Sequence, residues 1–356
     1  MFVALRDLRF ARGRFVLIGA VVALITVLVG FLSGLTGGLA TQNISAVLSL
    51  PADRLVFSAP AAGSSGISFA DSAITEQQAA GWASTDGVST VEPIGITQTR
   101  AEAGDARVAV AVFGMQPGFD SAAPSGPGRV QVSAPAAADL GVAAGDSVTI
   151  GGTAFTVEAV GGDSWYSHTP VVEMLLADWQ ALAATTGTPG AFATVLAVTG
   201  APDWAAADAA QTTSSASILG SLTALSAFRS EIGSLLMMVA MLFGISGLVI
   251  GAFFTVWTMQ RKADIAVLKA LGASTPSLVR DALGQALIVL LLGIGTGLGL
   301  VALLGALAGT ALPFLLSPLT TLLPGAIMIV LGLAGAAFAL RSVTSTDPLT
   351  ALGSTR

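Results

Sequence analysis

Three stretches of this chain carry no charge at all, from Phe15 to Leu39, from Ile232 to Gln260 and from Leu283 to Leu340, and they are unevenly spaced. A helix of about 20 apolar residues crosses the roughly 30 Å of hydrocarbon in a bilayer. Each of the first two stretches suits one span. The third is too long for one, and Pro313, Pro318 and Pro324 divide it at its middle, where proline ends helices and the chain can turn in the interface. The sequence therefore predicts a membrane α-helical fold class: four transmembrane helices over 15–42, 226–258, 283–312 and 323–342. A large mixed α+β extracellular domain, 43–225, is inserted between the first and second helices. A membrane-surface helix over 1–14, a cytoplasmic loop over 259–282, an extracellular turn over 313–322 and a cytoplasmic tail over 343–356 complete the layout.

Composition supports a membrane protein. Hydrophobic residues make up 53% and charged residues only 10% of the chain, and the mean hydropathy is +0.82, beyond the usual range of a soluble domain. The net charge of -6 conceals an asymmetry. The segments assigned to the inside hold Arg6, Arg9, Arg12, Arg14, Arg261, Lys262, Lys269, Arg280, Arg341 and Arg356 against four acids, whereas 40–231 holds seventeen acids against five arginines. The positive-inside rule then puts both termini and the 259–282 loop in the cytoplasm of a plasma-membrane protein and the large domain outside. A cleaved signal peptide is the competing reading of the first stretch. Its apolar run exceeds the roughly 7–15 residues of such a segment, and no small-x-small cleavage site follows. Before it, Phe2, Leu5, Leu8 and Phe10 alternate with Arg6, Arg9 and Arg12 as in a basic amphipathic helix lying on the inner membrane surface. Cysteine is absent, so the outer domain rests on its core alone.

Within the outer domain, Arg107–Phe113 and Ser147–Val160 alternate with strand period, the latter around a Gly151-Gly152 hairpin, while Glu76–Ser84, Ala137–Val142 and Leu175–Thr185 read as helices. The unpatterned Ala205–Ser217 stretch reads as surface helix or linker. In the cytoplasmic loop Ile265, Leu268 and Leu271 recur at helical spacing. Gly272 suits a left-handed C-cap, and Ser274 or Thr275 before Pro276 starts another helix. This corner is either a docking element for a motor subunit or a plain amphipathic connector.

Several functions are excluded. The chain has no Gly-rich phosphate loop ending in Gly-Lys-Ser/Thr, and its only lysines are Lys262 and Lys269, so it is not itself an ATPase. Nothing around Asp163, Ser164, Ser167 and His168 resembles a nucleophile elbow. No basic stripe with interleaved aromatics points to nucleic acid. Glu231 is the acid nearest hydrocarbon, a position that is expensive unless functional or paired. It is either a ligand or a carboxylate resting in the interface, alone or with Arg229. Met237, Met238 and Met241 share a helical face with position 234 and either line a soft slot for a flat ligand or pack as ordinary side chains. His168 and Tyr166 are the only residues of their kinds. Two apart on a strand they would share a face, and His168 is either an iron ligand or a hydrogen-bonded structural residue.

One span, a large outer domain and three further spans, together with the Arg261–Ala273 segment and Leu140–Val148, resemble the FtsX and MacB type of ABC transporter permease. Within it, Phe31–Ser45, Asp163–His168 and Glu231 followed by Met237-Met238 resemble the HrtB-like heme-exporter permeases. The resemblance implies a homodimer of this chain in membrane lipid, served by two copies of a separate ABC ATPase subunit that alone binds ATP. Heme would be a transported substrate, with no cofactor bound permanently. It implies heme contacts at Glu231, Met237, Met238, Tyr166, His168 and Phe228, with Glu231 and His168 as candidate iron ligands. Phe228 stands where relatives carry an aromatic hydroxyl, which puts more weight on Glu231. Coupling to the ATPase would fall to Arg261, Lys262, Asp264, Ile265, Leu268, Lys269, Leu271 and Gly272. A dimer also suits the glycines at 30, 34, 37, 38, 244, 247 and 251, which permit close helix approach. Two alternatives stay open: a mechanotransmission subunit that regulates an extracellular hydrolase, and an exporter of another lipophilic substrate such as lipid, peptide or drug.

Overall fold

The computed structural model describes residues 12–60, 63, 66–120, 123–261, 267, 271–309 and 312–344. The chain divides into two compact units, Leu39–Gly233 and the combination of Met1–Gly38 with Ser234–Arg356. The expected surface helix over 1–14 lies almost wholly outside the described residues, as do Lys262, Asp264, Ile265, Leu268 and Lys269 of the predicted coupling segment.

The membrane unit is built from four helices: α1 (Arg12–Leu48), α7 (Ser226–Gln260), α8 (Thr275–Ala308) and α9 (Pro318–Thr344). Each contains a stretch long and apolar enough to span a bilayer. α1 continues to Leu48 rather than ending at 42, because Ile44, Ala46 and Val47 on its last turns are buried in the core of the second unit. α8 begins at Thr275, eight positions before 283, since Ser274 takes the N-cap and Pro276 sits in the first turn. α9 begins at Pro318 and keeps Pro324 inside it, so the turn is shorter than 313–322. Ser317 and Thr320 cap that start reciprocally, each hydroxyl accepting the other's backbone N–H. Several hydroxyls within the spans are satisfied by their own helix: Thr26, Ser246, Thr255 and Thr258 donate to carbonyls four residues earlier.

The glycines of α1 serve packing within the chain. The Phe314 ring lies where a Cβ on Gly34 would come within 2.3 Å of it, and the Pro313 carbonyl oxygen is 1.9 Å from a Cβ built on Gly38. Leu315 donates its N–H to the Gly34 carbonyl at 3.0 Å, fastening the turn before α9 to α1. Gly247 and Gly251 face Leu331 and Gly335 of α9. These positions were expected to let two copies approach; most are already occupied by the chain's own helices.

The second unit is a mixed α+β domain. Its strands are β1 (Arg54–Ser58), β2 (Val88–Ala103), β3 (Ala106–Met115), β4 (Arg129–Val132), β5 (Ser147–Ile150), β6 (Thr153–Val160), β7 (Trp165–Tyr166), β8 (Thr169–Leu175), β9 (Val195–Gly200) and β10 (Thr213–Ser217). Between them lie α2 (Glu76–Ala83), α3 (Ala134–Leu140), α4 (Leu176–Thr185), α5 (Trp204–Gln211) and the single turn α6 (Ile218–Ser221). The sheet order is β10-β1-β9-β2-β3-β8-β4-β6-β5, and β5 pairs again with β2, so six strands close on themselves. Closure removes the exposed edges that would invite aggregation. Inside the closed part pack Val112, Val130, Val148, Ile150, Val172 and Met174, capped by Trp179 and Leu182 of α4. The open part β10-β1-β9-β2 carries Trp82, Ile74 and Leu196 on one face and Phe57, Phe69, Phe113 and Tyr166 on the other.

The stretch at 205–217 is a correction: its second half is strand β10, paired along its length with β1. Thr213 is buried, accepts the Trp82 indole N–H at 3.1 Å and donates to Asp208, whose carboxylate also accepts from Ser215. The strand lacks an apolar alternation because these small hydroxyls, rather than hydrophobic side chains, face inward.

Candidate functional site

Three segments of the second unit converge on one cluster: the end of α1, the turn between β7 and β8, and the start of α7. β7 is only two residues long, and Trp165 and Tyr166 pair with Pro170 and Thr169. Ser167 and His168 therefore form a two-residue hairpin turn, with φ of 49° and 64°. That left-handed geometry normally calls for Gly or Asn, and the strain is held from outside the hairpin. Ser167 and His168 each donate a backbone N–H at 2.9 Å, to the Asn43 and Gln42 carbonyls of α1. Ser45 adds a further tie, its hydroxyl accepting the Trp165 N–H at 2.8 Å.

This seating brings His168 Nε2 to 2.6 Å from Glu231 Oε2. The Asn43 amide donates to the same oxygen at 3.0 Å and lies 2.9 Å from His168 Nε2. With the imidazole proton on Nε2, both the ring and the amide converge as donors on one carboxylate oxygen. The carboxylate also fixes the Asn43 orientation, because a flipped amide would turn its oxygen against Oε2. Asn43 is fully buried, and its Oδ1 has no hydrogen-bond partner among the described residues. A buried acceptor left unpaired costs about 1–3 kcal/mol. The His168 and Glu231 side chains remain 37% and 32% exposed, so the cluster is accessible while its floor is not.

Of the predicted site residues, the structure joins His168 and Glu231 directly and separates Tyr166 from them. The expectation that Tyr166 and His168 share a strand face fails because His168 lies in the turn, beyond the end of β7. Tyr166 is buried between the Phe69 and Phe113 rings, edge-on to both with centroids 5.8 and 5.4 Å away. Burial pushes its hydroxyl pKa upward, and a side chain so enclosed serves the core. Phe228 is half-buried at the margin of the same core. Met237, Met238 and Met241 are 66%, 48% and 63% exposed on α7, in the other unit. Leu271 and Gly272 are described, and Gly272 has the φ of 92° that a left-handed C-cap requires. Asn43 is the residue sequence reasoning does not single out; its only signal is a bare amide near the end of an apolar helix. Among the described residues no group of three or more His, Cys, Asp or Glu could hold a metal ion.

Four helices are long and apolar enough to cross a membrane, with a sheet domain between the first and second, and residues 229–348 match the family described as FtsX-like permease C-terminal. Residues 229–348 thus form an FtsX-like permease domain, and along its full length the chain is similar to ABC transporter permeases. It is homologous at low identity to permeases named for hemin transport. It is 31% identical to the Staphylococcus haemolyticus protein named as a hemin transport system permease, HrtB, over 36% of this chain and 37% of that one. The like-named Staphylococcus epidermidis protein is 23% identical over 99% of both chains. An uncharacterized ABC transporter permease of Mycobacterium tuberculosis is 27% identical over 99% of both. Two solved structures also align. The extracellular domain of the noncanonic ABC-type transporter YknZ from Gram-positive bacteria has a TM-score of 0.32 and 16% identity, covering 44% of this chain and 87% of that one. The periplasmic region of MacB from Actinobacillus actinomycetemcomitans has a TM-score of 0.35 and 9% identity, covering 46% and 88%.

Proposed function

We propose that this chain is the permease of an ATP-driven pump that exports heme from the plasma membrane, working as a homodimer with two copies of a separate ATPase subunit. The observation that carries the reading is the Asn43–His168–Glu231 cluster, an accessible carboxylate oriented by an amide and an imidazole at the start of a membrane helix. Ferric heme accepts a carboxylate or imidazole on iron and is otherwise a flat apolar disc. In this geometry Glu231 is the better ligand, because His168 Nε2 is already committed to the carboxylate, and His168 and Asn43 hold Oε2 in place. The exposed Met237, Met238 and Met241 offer polarizable surface of the kind a porphyrin face packs against. The name of the staphylococcal relatives points to the same substrate class.

A dimer is supported by the poor cover of α7. Only 11% of its apolar window is buried, against 33% in each of the other three helices, and Met237, Met241, Ile245 and Leu248 follow one another along its exposed side. The charge asymmetry of the sequence supports termini and the 259–282 loop inside and the sheet domain outside. ATP would be bound and hydrolysed by the partner subunit, since this chain has no phosphate-binding loop.

Purified full-length protein titrated with hemin should give a saturable absorption band that Glu231→Ala and Glu231→Gln both abolish. A band unchanged in both variants would remove Glu231 as the ligand. Growth of a deletion strain on toxic heme separates the alternatives: sensitivity supports heme efflux, a chaining or division defect without sensitivity supports mechanotransmission, and neither points to another lipophilic substrate.

A further inference from the structure

At the other end of α7, the partly exposed Arg261 engages its own chain. Its guanidinium lies over the Trp257 ring, 5.2 Å from the centroid, and it donates to Gln285 Oε1 of α8 at 2.8 Å. Gln285 is fully buried, and its Nε2 donates to Asp281 at 3.3 Å, one turn earlier on the same helix. The amide is thus used at both ends, its acceptor toward the cation and its donor toward the anion, which leaves one satisfied orientation. Trp257 is itself held edge-on by Phe15 and Phe254, with centroids 6.1 Å away in both cases. The adjoining cavity, lined by Trp257, Arg261, Asp281 and Leu340 among others, measures only about 40 Å³. That is room for a few waters at most, far too little for a nucleotide or a porphyrin. The cluster is an internal joint and not a ligand site.

Arg261 and Gln285 are 24 residues apart and bracket the segment between α7 and α8. We propose that Arg261, Gln285 and Asp281 are positioning residues: a brace that locks the end of α7 to the start of α8, so that a push delivered to the intervening segment moves both helices as one body. The inference rests on the permease reading and assigns Arg261 a role inside the protein in place of contact with the ATPase. Without the brace, a thrust on the segment would be absorbed by α7 and α8 sliding past each other.

The chain contains no cysteine, so spin labels can be placed without background. In the otherwise native chain, reconstituted in nanodiscs with its ATPase subunit, labels at Met259→Cys and Ser277→Cys should keep one distance with and without ATP. A distance that changes on ATP binding overturns the brace. In the same particles Arg261→Met and Gln285→Leu should each keep the ATPase subunit and bind hemin as the parent does, yet lose hemin-stimulated ATP hydrolysis about tenfold. The double variant should be no worse than either single one, because the residues act as one unit. Loss of the ATPase subunit from Arg261→Met alone, with Gln285→Leu behaving as the parent, would make Arg261 a docking contact. Full stimulation in both variants would also sink the proposal. Should these variants fail to accumulate, Asp281→Asn keeps the shape and removes only the charge; reduced stimulation is expected, and parental stimulation counts against the brace. A parent chain that neither binds hemin nor retains an ATPase subunit fails the underlying reading instead; the brace is then read without ATP, from a label distance that should broaden in Arg261→Met and Gln285→Leu, and a distance as narrow as the parent's in both variants overturns it.

Discussion

The sheet unit and the membrane unit reach stability by opposite means. The first buries large side chains, among them Trp82, Phe57, Phe113 and Met174, behind strand ladders. Its driving force is removal of apolar surface from water. The second has no water to escape from within the bilayer; its helices bury Ile250, Leu290 and Met328 among themselves, and its backbones come closest where side chains are missing, at Gly34 and Gly305 against Phe314 and at Gly251 against Gly335. One unit is filled and the other is interlocked. A lost side chain should therefore hurt the sheet unit most, and a gained one the membrane unit.

The sharpest way to break this contrast is to add one methyl group to the membrane unit. Gly38→Ala places a Cβ against the Pro313 carbonyl at 1.9 Å, a backbone clash no rotamer can relieve. It should cost about 4 kcal/mol or more and show as loss of monodisperse protein on size-exclusion chromatography in detergent. Next in size, Trp82→Ala in the sheet unit should cost about 3–5 kcal/mol, read by chemical denaturation followed by tryptophan fluorescence. If the glycine change proves mild and the tryptophan change severe, the interlocking account of the membrane unit is wrong.

A smaller effect concerns charge inside the sheet unit. Glu173 on β8 is buried, and desolvation, with Asp120 nearby, raises its pKa from 4.5 to about 8. The folded state thus keeps a proton that the unfolded chain releases. Stability should be full below pH 4.5 and decline as pH rises toward about 8, with no further loss from this group beyond. The slope is at most ~1.4 kcal/mol per pH unit, and Glu173→Gln should flatten it. A slope unchanged in the variant would assign the dependence to another group. Smallest of all, the Arg107–Glu102 pair at 3.4 Å has side chains 72% and 45% exposed. Arg107→Ala should lower the stability read by chemical denaturation by less than about 0.5 kcal/mol, and a larger loss would mean the sheet's surface is not a passive face.

The units also differ in how much of them the sequence discloses. The spans follow from the missing charges, since twenty apolar residues have few other uses. The hairpin at Gly151-Gly152 follows from its glycines. Helix ends were less legible: α1 overruns its predicted limit because Ile44, Ala46 and Val47 pack into the core of the sheet unit, a tertiary contact that outweighs their modest helix propensity. β10 was hidden because its inward positions are hydroxyls. The candidate site was half legible. Glu231 stands out as an acid at the edge of an apolar run, but its pairing with His168 depends on a turn that no glycine marks. Asn43 meets them only through contacts 125 and 188 residues distant in sequence, which no local pattern records.

That turn has a consequence for how the protein can vary. Gly or Asn at position 168 would relieve a left-handed backbone that costs the chain of order 1–3 kcal/mol, so a search guided by stability alone would replace the histidine. The replacement would also delete the imidazole that donates to Glu231. Position 168 is thus one where thermostabilising selection and selection for activity should pull the sequence apart. A library sorted first for heat resistance and then for heme tolerance would reveal that conflict as mutually exclusive winners.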